Sequence, residues 1–378
     1  MTRTGWGAAA LGAVLLATGA AAHWAPFVVL GFGLVVLVAA SLGYVARSPR
    51  LALERAVEPP RVEKGQPAIA VIRATNLSWR TVEGLVMEQR LGDIVFRAEL
   101  PRLRRGEAGL RTYRLPTSQR GTYSVGPVEI PKRDPLGLCR RVRRLGQPQV
   151  IAVHPRALPL RSLPSGMSRN LEGPSSDMSP QGTVAFHRLR EYVIGDDLRT
   201  VHWPSTARLG RLVVRHYVDT AQPWTMVLVD VRPEVYSPET FEEAMDVAAS
   251  VASAMSAGRA PVQLRTTAGG RAGGTGLESP ARLLDYLTDL GPDASGSLVS
   301  QLNRLRHDRG GSALVVVTGA LEVDSLPAMA SLSKRFDHLI VASLVPRLVP
   351  APTYPGVDVL VATSADELAQ AWDSWVTR

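Results

Sequence analysis

Cysteine is nearly absent: Cys139 is the only one in 378 residues. A single thiol excludes an intramolecular disulfide and a zinc site built from four cysteines, and it suits a reducing compartment. Lysine is almost as scarce. Lys64, Lys132 and Lys334 are the only three, so arginine supplies the rest of the 43 basic residues. No Gly-x-Ser-x-Gly elbow marks a serine hydrolase, and no sequence cue for activation accompanies Cys139. The glycine-rich run at 269–276 has no following Lys-Ser/Thr and no strand-to-helix dinucleotide spacing, so it reads as a loop or hairpin tip. His154, His216, His307 and His338 lack metal-ligand spacing.

Charge is missing altogether from two long stretches, 5–22 and 26–45. Each is about as long as a helix needs to cross a hydrocarbon core of roughly 30 Å. Residues 23–26 turn between them, and Trp24 and Tyr44 stand where interfacial aromatics are expected. Arg3 precedes the pair, while Arg47, Arg50 and Arg55 follow it. The positive-inside rule therefore predicts two spans, both ends cytoplasmic and residues 46–378 on the cytoplasmic side of the cell membrane. A cleaved signal peptide ending near Ala20-Ala21-Ala22 would leave one span.

Basic charge is concentrated next to these spans. Residues 46–155 hold 21 Lys+Arg against 10 Asp+Glu, a net of +11, whereas 156–378 hold 21 against 24, a net of −3. Arg102, Arg104 and Arg105 form one cluster; Arg140, Arg141, Arg143 and Arg144 form another. Basic residues close to a bilayer are attracted to anionic lipid, so these arginines are expected to form a membrane-surface patch. Nucleic acid is the weaker partner, because no recognition helix or stacking motif accompanies the charge. Between about 50 and 155, short alternating runs at 68–74, 84–89, 111–115 and 121–125 are bounded by Pro and Gly. They predict an all-β sandwich of immunoglobulin-like type.

Residues 156–219 read as a linker followed by a dense charged segment. Arg188, Arg190, Glu191, Tyr192, Gly195, Asp196, Asp197, Arg199, His202, Trp203 and Arg208 fall within it. Arginine forks suit bidentate carboxylate pairing, so a structural clasp or docking surface is expected. The alternative is a metal-dependent hydrolase or other enzyme using Glu191, Asp196, Asp197 and His202.

From 220 to 378, apolar runs alternate with helical patterns, predicting a doubly wound α/β domain on a parallel sheet. Sites in such sheets lie beyond the strand C-termini, where the strand order reverses.

The segment FHRLREYVIGDDLRTVHWPSTARLGRLVVRH, at 186–216, resembles the signature of the bacterial domain-of-unknown-function family 58, DUF58. RGTYSVGPVEIPKRDPLGLCRR, at 120–141, resembles that family's second hallmark, R-G-x-Y…G-P…D-P-x-G-L. The resemblance implies a membrane-attached protein with a von Willebrand factor A-like C-terminal domain. It also implies the company of a MoxR-type AAA+ ATPase and often of a transglutaminase-like membrane protein. That domain type carries a magnesium site built on Asp-x-Ser-x-Ser. Here the corresponding residues are Asp230, Arg232 and Glu234, and Thr318-Gly319 stands where Asp-Gly is usual. An arginine at a ligand position repels a cation, so no cofactor is expected, although Asp230 and Glu234 retain oxygen donors. The functional expectation is a non-enzymatic, membrane-anchored adaptor.

Overall fold

The computed structural model describes residues 1–91, 94–163, 184–193, 199, 201–219, 224–258, 260–273, 280–308 and 310–377. Two compact units divide the chain, 1–155 and 156–378.

The first unit begins with two helices, α1 (Arg3–Ala21) and α2 (Ala25–Ala46), both long and apolar enough to cross a membrane. Thr2 caps α1 by accepting the Gly5 N–H, and Pro26 occupies the first turn of α2, where its missing N–H costs nothing. Gly5, Gly12 and Gly19 recur at a spacing of seven and are the buried residues of α1. A Cβ at Gly12 would meet Leu34 and the Gly31 carbonyl at 3.1 and 3.3 Å, and one at Gly19 would meet the Val28 nitrogen at 2.8 Å. The helices pack this closely because those positions carry no side chain. Their outer faces leave Trp6, Leu11, Val29, Leu30 and Phe32 exposed.

The strands that follow are β1 (Leu51–Glu58), β2 (Arg61–Glu63), β3 (Ala68–Asn76), β4 (Val86–Leu91), β5 (Ile94–Glu99), β6 (Ala108–Leu115), β7 (Gly121–Val125), β8 (Val128–Arg133), β9 (Arg140–Leu145) and β10 (Gln149–His154). One sheet has the order β1-β3-β6; the other runs β2-β10-β7-β4-β8-β9, with β5 paired to β4. Alternation in β3 points Ala68, Ala70, Ile72 and Ala74 inward. Ala68 and Ala70 share an apolar cluster with Val125, Ile151 and Val153 of the second sheet, and Ile72 and Ala74 share another with Met87, Val128 and Ile130. The sheets are therefore joined face to face. Arg55 also bridges them, donating to the carbonyls of Val125, Gly126 and Gln147 and to the side chains of Gln89 and Gln149.

The second unit opens with an extended arm. Residues 156–163, expected as the start of a linker, are seated on the α/β domain instead. The Arg156 and Leu158 amides donate to Asp246 and Ser250, the Arg161 amide donates to Asp373, and Trp372 donates its indole N–H to the Arg161 carbonyl. Next come β11 (Val184–Glu191), α3 (Trp203–Leu209) and β12 (Val213–Asp219), with β11 and β12 forming an antiparallel pair.

The remaining elements are β13 (Thr225–Val229), α4 (Pro238–Ala257), β14 (Val262–Thr266), β15 (Arg271–Gly273), α5 (Pro280–Asp289), α6 (Leu298–Leu305), β16 (Gly311–Thr318), α7 (Ser325–Ala330), β17 (Phe336–Leu344), β18 (Asp358–Ala362) and α8 (Ala365–Val376). Their sheet has the order β15-β14-β13-β16-β17-β18 and is parallel except where β15 folds back on β14. The glycine-rich run at 269–276 thus contributes a short edge strand. Separate apolar clusters cover the two faces, one with α4, α5 and α8 and the other with α6 and α7. This double cover explains why β13 is buried at every position.

Candidate functional site

The chain steps from β13 to β14 on one side and later crosses to β16 on the other. In open α/β sheets a reversal of this kind is where ligands commonly bind, beyond the strand C-termini. Asp230, immediately after β13, stands at this switch point with no exposed surface. Its amide donates to the Val317 carbonyl of β16, and its carboxylate accepts from the hydroxyls of Thr267 and Thr318 at 3.2 and 3.0 Å.

Arg232 closes the site. Its Nε and Nη2 donate to the two Asp230 oxygens at 3.0 and 2.9 Å, and its Nη1 and Nη2 reach the Glu322 carboxylate at 3.0 and 3.3 Å. Glu234 stands 4.0 Å from Nη1. Hydrogen bonding to Asp230 raises the Arg232 pKa above its ordinary value against the opposing effect of burial, and Glu322 adds to the rise. Burial also pushes the Tyr236 hydroxyl well up, reinforced by the charge of Asp230. Gly319 lets the β16 end approach closely, since a Cβ there would fall on the Val235 carbonyl.

This donor set suits a guanidinium better than a metal ion. Both Asp230 oxygens already accept from Arg232, and a divalent cation between Asp230 and Glu322 would have to displace that fixed charge. The Glu234 side chain is 57% exposed and points its carboxylate at the same arginine. Among the described residues, no three His, Cys, Asp or Glu side chains converge as a metal-binding group. Sequence reasoning singled out Asp230 and Glu234 and read Arg232 as repelling a cation. It missed Glu322, which lies 90 positions from Arg232 and has no local pattern to mark it.

The charged segment is partly described. Gly195, Asp196 and Asp197 lie outside the described residues, and for Arg188 and Arg190 only the backbone, paired in β11, is described. His202 is the N-cap of α3: its Nδ1 accepts from the Ser205 amide and lies 2.8 Å from the Ser205 hydroxyl. Glu191 pairs with Arg211 at 3.2 Å on the surface. Tyr192 is half-buried and donates its amide to Leu212, whereas Arg199, Trp203 and Arg208 are exposed. Arg211 was not anticipated; it lies in the bend between the Gly210 cap of α3 and β12, two residues before Val213, the register partner of Glu191.

The second hallmark builds two local structures. Tyr123 donates its hydroxyl to the Gln119 carbonyl four residues upstream. Asp134 accepts the amides of Leu136, Leu138 and Cys139, which holds the β8–β9 turn. That turn receives α1: Thr2 donates its amide to Leu138 and its hydroxyl to the Gly137 and Leu138 carbonyls. Leu138 and Cys139 pack with Val38 and Val45 of α2.

Of the basic patch, Arg102 pairs with Glu83 at 3.4 Å, Arg144 with Glu129 at 2.9 Å, and Arg143 donates to the Pro49 carbonyl. The Arg104 amide is held by Glu107, and Arg140 and Arg141 are exposed on β9. Arg105 lines a separate cavity near the end of α2.

Residues 188–362 match the family model described as Protein of unknown function DUF58. The match supports membership in DUF58. It covers the end of β11 through β18, including the switch-point cluster. No curated protein matches the chain. Among solved structures, a CARDB domain from Pyrococcus furiosus is 17% identical over 28% of this chain and 94% of its own, with a TM-score of 0.23. A putative ApaA protein from Bordetella pertussis is 13% identical over 28% and 94%, with a TM-score of 0.21. Cwp6 from Clostridium difficile is 9% identical over 77% and 41%, with a TM-score of 0.18. Scores this low carry no argument about fold or function.

Proposed function

We propose that this DUF58 protein is a membrane-anchored, non-enzymatic adaptor. In this reading α1 and α2 span the cell membrane, and residues 46–378 lie in the cytoplasm. The first unit carries an immunoglobulin-like sandwich against anionic lipid; its tyrosine corner at Tyr123 supports that likeness. The second unit is a von Willebrand factor A-like domain that presents its strand-end surface to a partner. A MoxR-type AAA+ ATPase is the proposed partner, and a transglutaminase-like membrane protein a further member of the assembly.

One observation carries the reading. Arg232 neutralises the buried Asp230 at the strand end and holds Glu322 beside it, where the Glu322 side chain is 47% exposed. Asp230, Arg232 and Glu322 together leave one net negative charge fixed at this surface, suited to a basic partner residue rather than an open ligand site. The metal-dependent hydrolase alternative draws less support, because His202 serves as a helix cap and Glu191 has a surface arginine partner.

The test is affinity capture from crosslinked native membranes, using wild-type, Glu322→Arg and Arg199→Ala baits. Recovery of an AAA+ ATPase with wild type, and its loss with folded Glu322→Arg, is the expected result. An abundant, folded wild-type bait that recovers no such ATPase sinks the adaptor reading.

A further inference from the structure

Where α2 ends, a cavity of about 1060 Å³ opens between the helix end and the β unit. Arg47, Arg50, Arg80, Arg105, Lys132 and Arg133 line it, and Glu83 is the carboxylate among its lining residues. The site is built rather than merely charged. Lys132 donates its amine to the Arg47 carbonyl at 2.9 Å and lies 4.5 Å from the centre of the Tyr44 ring. The Arg80 guanidinium lies 4.2 Å from the centre of the Trp79 ring. Burial lowers the Lys132 pKa, and an anion beside the ammonium would oppose that shift by favouring its charged form.

A second, apolar groove of about 470 Å³ begins at the same tyrosine. Gly33, Val36, Leu37, Ala40, Tyr44 and Leu136 line it. From Tyr44 back to Gly33 the helix rises roughly 16 Å, about half of a hydrocarbon core and so the depth of one leaflet. Leu136, at the tip of the turn held by Asp134, is 60% exposed beside this groove. Tyr44 thus separates a polycationic pocket from an acyl-sized channel. That juxtaposition matches one molecule with an anionic head and an apolar tail.

We propose that the protein binds one anionic phospholipid here, with its phosphate headgroup in the basic cavity and an acyl chain in the groove between α2 and the β8–β9 turn. This site is distinct from the diffuse patch at Arg140 and Arg144, which are exposed on β9. The inference rests on reading α1 and α2 as membrane spans. A soluble phosphate would share the headgroup chemistry but leave the groove unused.

The experiment is native mass spectrometry of the full chain, purified in detergent and delipidated, with phosphatidylglycerol or phosphatidylcholine added. Wild type should retain one phosphatidylglycerol, bound at least about tenfold more tightly than phosphatidylcholine. Arg50→Gln/Arg105→Gln should lose about tenfold or more. Gly33→Phe should lose the lipid equally while its melting temperature holds, since a Cβ at Gly33 meets open space. Equal binding of the two lipids, or unchanged binding in both variants, overturns the proposal. Displacement by millimolar inorganic phosphate with Gly33→Phe unaffected also overturns it, in favour of a soluble-anion site. Carbonate extraction separates this from the parent reading. A chain released to the soluble fraction defeats both, whereas a membrane-retained chain with no lipid preference defeats the lipid site alone.

Discussion

The Arg232 guanidinium lies along the Asp230 carboxylate, donating to both of its oxygens from a position only two residues away. Both side chains are buried, at 8% and 0% exposure. The pair occupies the place in the sheet where α/β proteins commonly bind ligands. Its charge is satisfied internally, by an arginine instead of a solute.

Removing one partner strands the other. Arg232→Ala is expected to destabilise the protein by about 3–5 kcal/mol, whereas Asp230→Asn combined with Arg232→Met should recover most of that loss. Denaturant unfolding of wild type and the two variants checks this, and an equal loss in both variants contradicts it. Arg232→Ser with Glu234→Ser should go further, leaving Asp230 with hydroxyl neighbours for a hard cation. Magnesium at roughly 100 times its Kd would then add about 2.7 kcal/mol of stability, where wild type gains none.

Asp134 predicts an acid-sensitive turn. Burial opposes its ionisation, but the amides of Cys139 and Leu138 and the Ser41 hydroxyl outweigh it and hold the pKa below the ordinary value. A folded-state value below the unfolded one means that the turn's contribution is complete above the unfolded pKa of about 3.9. That contribution disappears as the pH falls through the folded value. Asp134→Asn should therefore melt earlier than wild type at neutral pH, with the gap closing on acidification. A gap that is independent of pH would remove the carboxylate from the explanation.

Arg55 should resist conservative replacement. Its planar fork serves acceptors on several loops and strands of the opposite sheet, and a lysine cannot reproduce that geometry. Arg55→Lys and Arg55→Ala should both lose about 2–3 kcal/mol through unsatisfied carbonyls. A Lys variant as stable as wild type would show that charge alone suffices.

Membrane topology can be read with thiol chemistry, because Cys139 is buried. His23→Cys should react with a membrane-impermeant maleimide in intact cells, and Arg140→Cys only after lysis. The reverse pattern would place the β unit outside.

The elements most visible in the sequence were those whose signal is periodic and local. Uncharged runs marked α1 and α2, and period-two alternation marked β3 and β7. Continuous apolar stretches marked β13 and β16. Contacts between distant positions left no such trace. Glu322 meets Arg232 across 90 residues, and Arg55 reaches Gly126 across 71. The seven-residue recurrence of Gly5, Gly12 and Gly19 was available as a signal, but its meaning depended on Leu138, Leu34 and Val28 lying opposite. Within the charged segment, the type of each residue suggested chemistry. The cap formed by His202 depends instead on where the helix begins, which side-chain type alone does not fix.

A Cβ at Gly5 would fall on the Leu138 carbonyl, and Thr2 ties its amide and hydroxyl to the same turn. The first helix therefore meets the β unit through close backbone contact and short threonine side chains, which leave little slack to absorb a change of angle. A bilayer that thickens or thins alters the tilt of the helices crossing it. If α1 and α2 span the bilayer as proposed, this close joint would pass such a change of tilt to the β unit as well.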